Sequence, residues 1–168
     1  MSADPRRTGT GMMLAAALGL LALLTWFFSG QLEQRNNPNR QVLSFTEAGR
    51  VEVVLQGDRR GHFVASGQIN GREVMFLVDT GATLVSVPES LADQLGLRRE
   101  TSIRLMTAAG PVQGWATRLD EVRLGDIVKR DVAAAINPGR HESVLLGMSF
   151  LRHLEMTQRD NELRLVSE

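Results

Sequence analysis

Residues 76–87 read FLVDTGATLVSV, a run in which one acidic residue, Asp79, ends an apolar strand and is followed by the small turn Thr80-Gly81-Ala82. Met75 to Val78 has the continuous apolar character of a strand buried on both faces, so Asp79 is expected where a carboxylate loses part of its water. Thr80, Gly81 and Ala82 are small enough to let two backbones approach closely. A carboxylate so placed needs a partner. The plainer role for Asp79 is to accept backbone hydrogen bonds in a turn that closes the strand.

Working outward, the flanking sequence reads as strands. VEVVLQ from Val51, a turn GDRRG, HFVASGQIN, a second turn at Asn70 and Gly71, and REVMFLVD predict two consecutive hairpins leading into Asp79. PESLADQLG, residues 88–96, predicts a short helix, because Pro88 suits a first turn, Leu91 and Leu95 share a face and Gly96 ends it. Further hairpins are expected with turns near Gly110 and near Gly125 and Asp126, and a last one around Asp160 and Asn161. Between them, SVLLGMSFL passes from a short buried strand through Gly147 into a short helix. The fold class is mostly β.

Several chemistries are absent. There is no phosphate-binding loop, no Gly-x-Gly-x-x-Gly after a strand, no Gly-x-Ser-x-Gly and no His-Glu-x-x-His. His62, His141 and His153 lack ligand-spaced partners, so no metal site is expected. With no cysteine, disulfides, thiolate zinc sites and cysteine nucleophiles are excluded together. Nineteen Lys and Arg balance nineteen Asp and Glu, which gives no global field to attract nucleic acid.

Asp79-Thr80-Gly81-Ala82 at the end of an apolar strand, then VSV and a short helix, then Leu145, Leu146 and Gly147 leading into a helix, resembles the retropepsin-like aspartic proteases, and more narrowly their bacterial membrane-anchored, periplasmic branch. The resemblance implies a half-barrel with short helices over residues 49–168. It makes Asp79 the catalytic residue, Thr80, Gly81 and Ala82 the active-site loop, and Leu145, Leu146 and Gly147 the loop that supports it. The flap over the substrate corresponds to the hairpin in MTAAGPVQGW, with Ala108, Ala109 and Gly110 at its tip. The chain has no tyrosine, so a flap tyrosine is missing; Trp115 is either an indole donor in its place or packing at the hairpin base. No cofactor is implied.

Aspartic proteolysis needs two carboxylates sharing a proton, one to take a proton from water and one to give a proton to the carbonyl oxygen. Asp120, Asp126, Asp131 and Asp160 lie in polar or turn contexts without the Thr-Gly that follows Asp79. A two-fold homodimer would supply the second carboxylate as the symmetry copy of Asp79, with the two Thr80 hydroxyls meeting across the axis as the resemblance implies. Where pepsin-like members carry a serine that hydrogen-bonds the carboxylate, this chain has Ala82, so the dyad is expected to keep its shared proton toward neutral pH. Val85, Ile103, Met106, Val112 and Ile136 are candidates for pocket walls, with core packing as the competing role. A domain of this fold that binds or dimerises without cutting, and an unrelated β-domain in which the triplet is accidental, are the rival readings.

The amino-terminal region sets location. Residues 11–30, GMMLAAALGLLALLTWFFSG, carry no charge, and as a helix they would span roughly 30 Å, the thickness of a bilayer core. Arg6 and Arg7 precede the run, so residues 1–10 are expected in the cytoplasm, 11–30 as one transmembrane helix, 31–48 as a linker and the protease domain in the periplasm, on a bacterial inner membrane. A cleaved signal peptide shares the basic start and apolar run, but Phe27 and Phe28 fall where cleavage wants a small residue. Substrates at the same membrane surface, and self-cleavage between Asn36 and Val42, are further expectations.

Overall fold

The computed structural model describes residues 16–26, 37–107, 110–139 and 141–167. The chain divides into two units, one ending at Asn36 and one beginning at Asn37. In the first, residues 16–26 are helical (α1) with exposed side chains, and the Thr25 hydroxyl donates to the Leu21 carbonyl at 2.7 Å. Among the described residues no helix is long and apolar enough to cross a membrane. The expected span over 11–30 extends past α1 at both ends, and that remainder lies outside the described residues.

The second unit holds two sheets. The first has the order β1-β2-β11-β10, built from Leu43–Glu47, Arg50–Gln56, Glu162–Ser167 and Glu155–Arg159. Its inner face is set by period-two patterning: Val53 lies opposite Leu165 and Leu55 opposite Leu163, and all four are buried. The second sheet has the order β3-β4-β9-β5-β8-β7-β6, from Val64–Ile69, Arg72–Val78, Ser143–Leu146, Val85–Pro88, Ile127–Asn137, Gly110–Leu124 and Ser102–Thr107. A further antiparallel pairing of β3 with β7, at Gln68 with Arg123 and Ile69 with Val122, curls this sheet back on itself. Phe76, Phe150, Ile69, Leu119, Leu124 and Leu146 fill the core. The helices are short: α2 is Glu89–Leu95, ended by Gly96, and α3 is Met148–Leu151.

The turn at Asn70 and Gly71, the α2 helix, the β7–β8 turn at Gly125 and Asp126 and the final β10–β11 hairpin all form where the sequence places them. Three readings are corrected. VEVVLQ does not pair with HFVASGQIN, because both edges of β2 are taken by β1 and β11. The intervening loop is held by Asp58, whose Oδ1 accepts from the amides of Arg60 at 2.7 Å and His62 at 2.9 Å, and it carries the chain to the other sheet.

The stretch expected as linker, 31–48, contains β1 and two buried asparagines, Asn37 and Asn39. Asn39 Nδ2 donates to the carbonyls of Gln56 at 2.8 Å and Val64 at 2.7 Å, and its Oδ1 accepts from the Gln56 amide at 2.7 Å. The side chain thereby fastens the end of β2 to the start of β3, a use of asparagine that turn propensity does not reveal. Finally, β4 is not buried on both faces. Phe76 is fully buried, whereas Met75, Leu77 and Val78 are half-buried.

Candidate active site

Asp79 follows β4 directly. That strand runs parallel to β9, with Leu77 opposite Leu145 and Val78 opposite Leu146, and the Asp79 amide continues the ladder by donating to the Leu146 carbonyl at 3.2 Å. The residue leaves the sheet at a fixed place because two apolar strands grip the three residues before it. On the other side of the ladder, the Val78 amide donates to the Phe63 carbonyl at 2.9 Å.

Beyond Asp79 the chain closes a tight turn. The Gly81 amide donates to Asp79 Oδ1 at 2.9 Å and the Ala82 amide to the Asp79 carbonyl at 3.2 Å. The carboxylate is therefore oriented by its own loop, and Asp79 is half-buried while Thr80, Gly81 and Thr83 are exposed. Three further bonds seat the loop on the start of α3: the Met148 amide donates to the Ala82 carbonyl at 2.8 Å, the Ser149 amide to the Thr83 carbonyl at 3.0 Å, and the Val85 amide to Ser149 Oγ at 2.9 Å. Gly147 makes this seating possible, since a β-carbon there would collide with the carbonyl oxygens of Leu84 and Ala82.

The sequence-predicted loops thus meet: 79–82 from one crossover and 145–147 from the other interlock, with Leu146 and Gly147 buried and Leu145 half-buried. The other candidate carboxylates stand apart from this crossing. Asp120 and Asp131 are exposed on β7 and β8, the latter paired with Arg118, and Asp126 and Asp160 are exposed in hairpin turns. Of the expected flap tip, Ala108 and Ala109 lie outside the described residues, and Gly110 begins β7 opposite Thr107, whose hydroxyl donates to the Gly110 carbonyl at 2.7 Å.

Trp115 lies at the hairpin base, packed against the core, with the Arg99 guanidinium 5.5 Å from its ring centroid. Of its two expected roles, packing is the one the structure displays. Val85 and Ile136 are fully buried core residues, Ile103 and Val112 are half-buried, and Met106 is 78% exposed.

Two supporting residues escape a reading of the sequence. Ser149 receives the β5 backbone; its signal is a hydroxyl two residues after the glycine that opens α3. Asn137, buried at the end of β8, donates to Ser86 Oγ at 2.8 Å and accepts from the Gly139 amide at 2.8 Å, which pins the loop leading into β9. The Asn-Pro-Gly run after a strand marks that turn but not the cross-strand bond.

The family model described as gag-polyprotein putative aspartyl protease matches residues 65–153, a span that includes both interlocked loops. An uncharacterized protein from the cobV 5′ region of a Sinorhizobium species is 37% identical over 133 residues, covering 76% of this chain and 57% of that protein. An uncharacterized protein from Rickettsia prowazekii (strain Madrid E) is 27% identical over 125 residues, covering 73% of this chain and 53% of that protein. The chain spans about half the length of these curated relatives. Among solved structures, a retropepsin-like aspartic protease from Rickettsia conorii superimposes with a TM-score of 0.60 over 76% of this chain and 96% of that chain, at 23% identity.

Proposed function

Because the chain belongs to the retropepsin-like aspartic protease family, we propose that it is an aspartic endopeptidase in which Asp79 activates water for peptide-bond hydrolysis and a second copy supplies the other carboxylate. The observation that carries this reading is the crossing of the two loops, which holds Asp79 by its backbone on the Leu146 carbonyl and by its side chain on the Gly81 amide. Exposure of Thr80 and Gly81 beside a half-buried Asp79 supports the homodimer, because residues meant to meet their symmetry copies are open in one chain alone. Across the axis one carboxylate is ionised and accepts the proton of the attacking water, while its partner donates to the carbonyl oxygen. Ala82 offers no hydroxyl to either carboxylate.

Residues 11–30 serve as a single membrane anchor with the amino terminus in the cytoplasm and the protease domain in the periplasm, and protein or peptide substrates are met near that membrane. The apolar run, its basic flank and the helical, exposed residues 16–26 support the anchor. Incubating residues 37–168 and the Asp79→Asn form with an unstructured peptide library, while measuring oligomeric state, tests the enzyme. Cleavage by the first and not the second is expected. A dimer that cuts nothing would favour a peptide-binding module instead.

A further inference from the structure

The antiparallel register of β3 and β4 brings a second titratable side chain to the place where Asp79 leaves the sheet. Pairing runs from Ile69 opposite Arg72 to Val64 opposite Leu77. One step further, the Val78 amide donates to the Phe63 carbonyl at 2.9 Å, so the ladder continues past the start of β3. The next residue is His62 on one side and Asp79 on the other. Residues that flank a bonded antiparallel pair on the same side stand within side-chain reach, about 5–8 Å apart. Phe63 and Val78 pack against the core, and the alternation of an extended chain turns His62 and Asp79 away from it.

His62 is held there by its own loop. The Asp58 amide donates to the His62 carbonyl at 2.7 Å, the His62 amide to Asp58 Oδ1 at 2.9 Å, and the Gly61 amide to the Asp58 carbonyl at 3.0 Å. The imidazole Nδ1 lies 3.8 Å from Asp58 Oδ2, which leaves Nε2 as the nitrogen for a ligand, on a side chain 56% exposed. Burial pushes the Asp58 carboxyl up, but backbone bonds from His62 and Arg60 outweigh it and set the carboxyl below its ordinary range. Asp58 is thus an anion already engaged with its loop.

The other charges around the loop favour an anion. Arg59 and Arg60 are exposed, and the pairing of Gly57 with Asn161 brings alongside a turn with exposed Arg159 and Asp160. Glu162, bonded by Gln56, is paired with Arg164. Asp79 is the remaining carboxylate, and it is the one that acts on the peptide bond in the function proposed above.

An extended peptide advances about 3.4 Å per residue, so a ring about 5–8 Å from Asp79 is met two or three residues from the bond being cut. A side chain that is neutral at high pH and cationic when protonated sorts peptides by charge at that position. We propose that His62 is a substrate-recognising residue of the Asp79 site, its imidazolium pairing with an acidic side chain of the peptide within three residues of the cleaved bond. This recognition rests on the endopeptidase reading and names its substrates: peptides with Asp or Glu near the cut, favoured more as pH falls. In the homodimer each copy supplies one His62, so both sides of the bond are read.

Peptides cut by the full chain at one bond, carrying Glu or Gln in turn at each of the three positions on either side, test this. At the recognised position, kcat/KM for Glu over Gln is expected to rise from about one at pH 8 to about fivefold at pH 5, the range over which histidine takes up its proton while glutamate stays ionised. The ratio cancels the titration of the aspartates themselves. His62→Gln should hold the ratio near one at both pH values, and His62→Lys should keep the preference at both. A native ratio that ignores pH at every position, or a preference that survives in His62→Gln, would overturn the role of His62. So would a His62→Gln variant that shifts the Glu and Gln profiles alike, since the imidazole would then act on the aspartates and not on the substrate. Cleavage that persists in Asp79→Asn, or none by the native chain, would instead overturn the endopeptidase reading and the recognition with it.

Discussion

At the scale of single residues, each side chain in the loop crossing has a role that a conservative change can separate from folding. Asp79 Oδ1 accepts from the Gly81 amide, and asparagine keeps an oxygen for that bond while losing the charge and the proton. Asp79→Asn is therefore expected to lower kcat by about a thousandfold or more with little change in unfolding midpoint, read by peptide cleavage and urea titration on one preparation. Asn39 is the opposite case. It lies away from the loop crossing, on β2 and β3, yet its truncation leaves the Gln56 amide and the Gln56 and Val64 carbonyls without their partner. Asn39→Ala should cost about 2–4 kcal/mol in urea unfolding. Asp79 was legible because an acid after four apolar residues and before Thr-Gly breaks the strand pattern. Asn39 was not, because an asparagine in QRNNPNR carries the same local signal whether it is solvated or buried.

Among elements, legibility followed the range of the interactions. The β3–β4 and β7–β8 hairpins and α2 are specified by neighbours in sequence, through Asn70-Gly71, Gly125-Asp126 and the Pro88–Gly96 frame, and they appear where the residues put them. One partner of β2 is β11, more than a hundred residues away, and nothing local in VEVVLQ distinguishes that partner from the next strand along the chain. Edge strand β1 was obscured for a related reason: LSFTE alternates, but its apolar residues point outward, opposite to the pattern of a strand that covers a core. The crossing of the β4–β5 and β9–α3 connections lies between these extremes, since the glycine at 147 marks it locally while its purpose depends on Ala82 and Leu84 far upstream. Gly147→Ala should force the two loops apart, lowering stability by about 1–3 kcal/mol and kcat/KM by roughly tenfold or more, because the carboxylate moves with its loop. Retention of full activity in a variant destabilised to that extent would separate the crossing from catalysis.

For the whole molecule, the decisive quantity is the number of carboxylates at the loop crossing. The closed second sheet and the first sheet wrap one core, and that core carries one Asp79, with the remaining candidate aspartates exposed on β7, β8 and two turns. Under the proposed mechanism the second carboxylate comes from another copy, and activity would then be a property of pairs. Mixing exposes this without disturbing any fold. If Asp79→Asn chains are added in threefold excess and allowed to exchange, a native chain meets a native partner in about one pairing in four, and activity per native chain should fall roughly fourfold. Dilution should act in the same direction, lowering specific activity as dimers dissociate, and tethering in one membrane should oppose it by raising effective concentration. A catalyst complete within one chain would show neither effect, and unchanged specific activity in the mixture, with exchange verified by a labelled partner, would rule out the paired site.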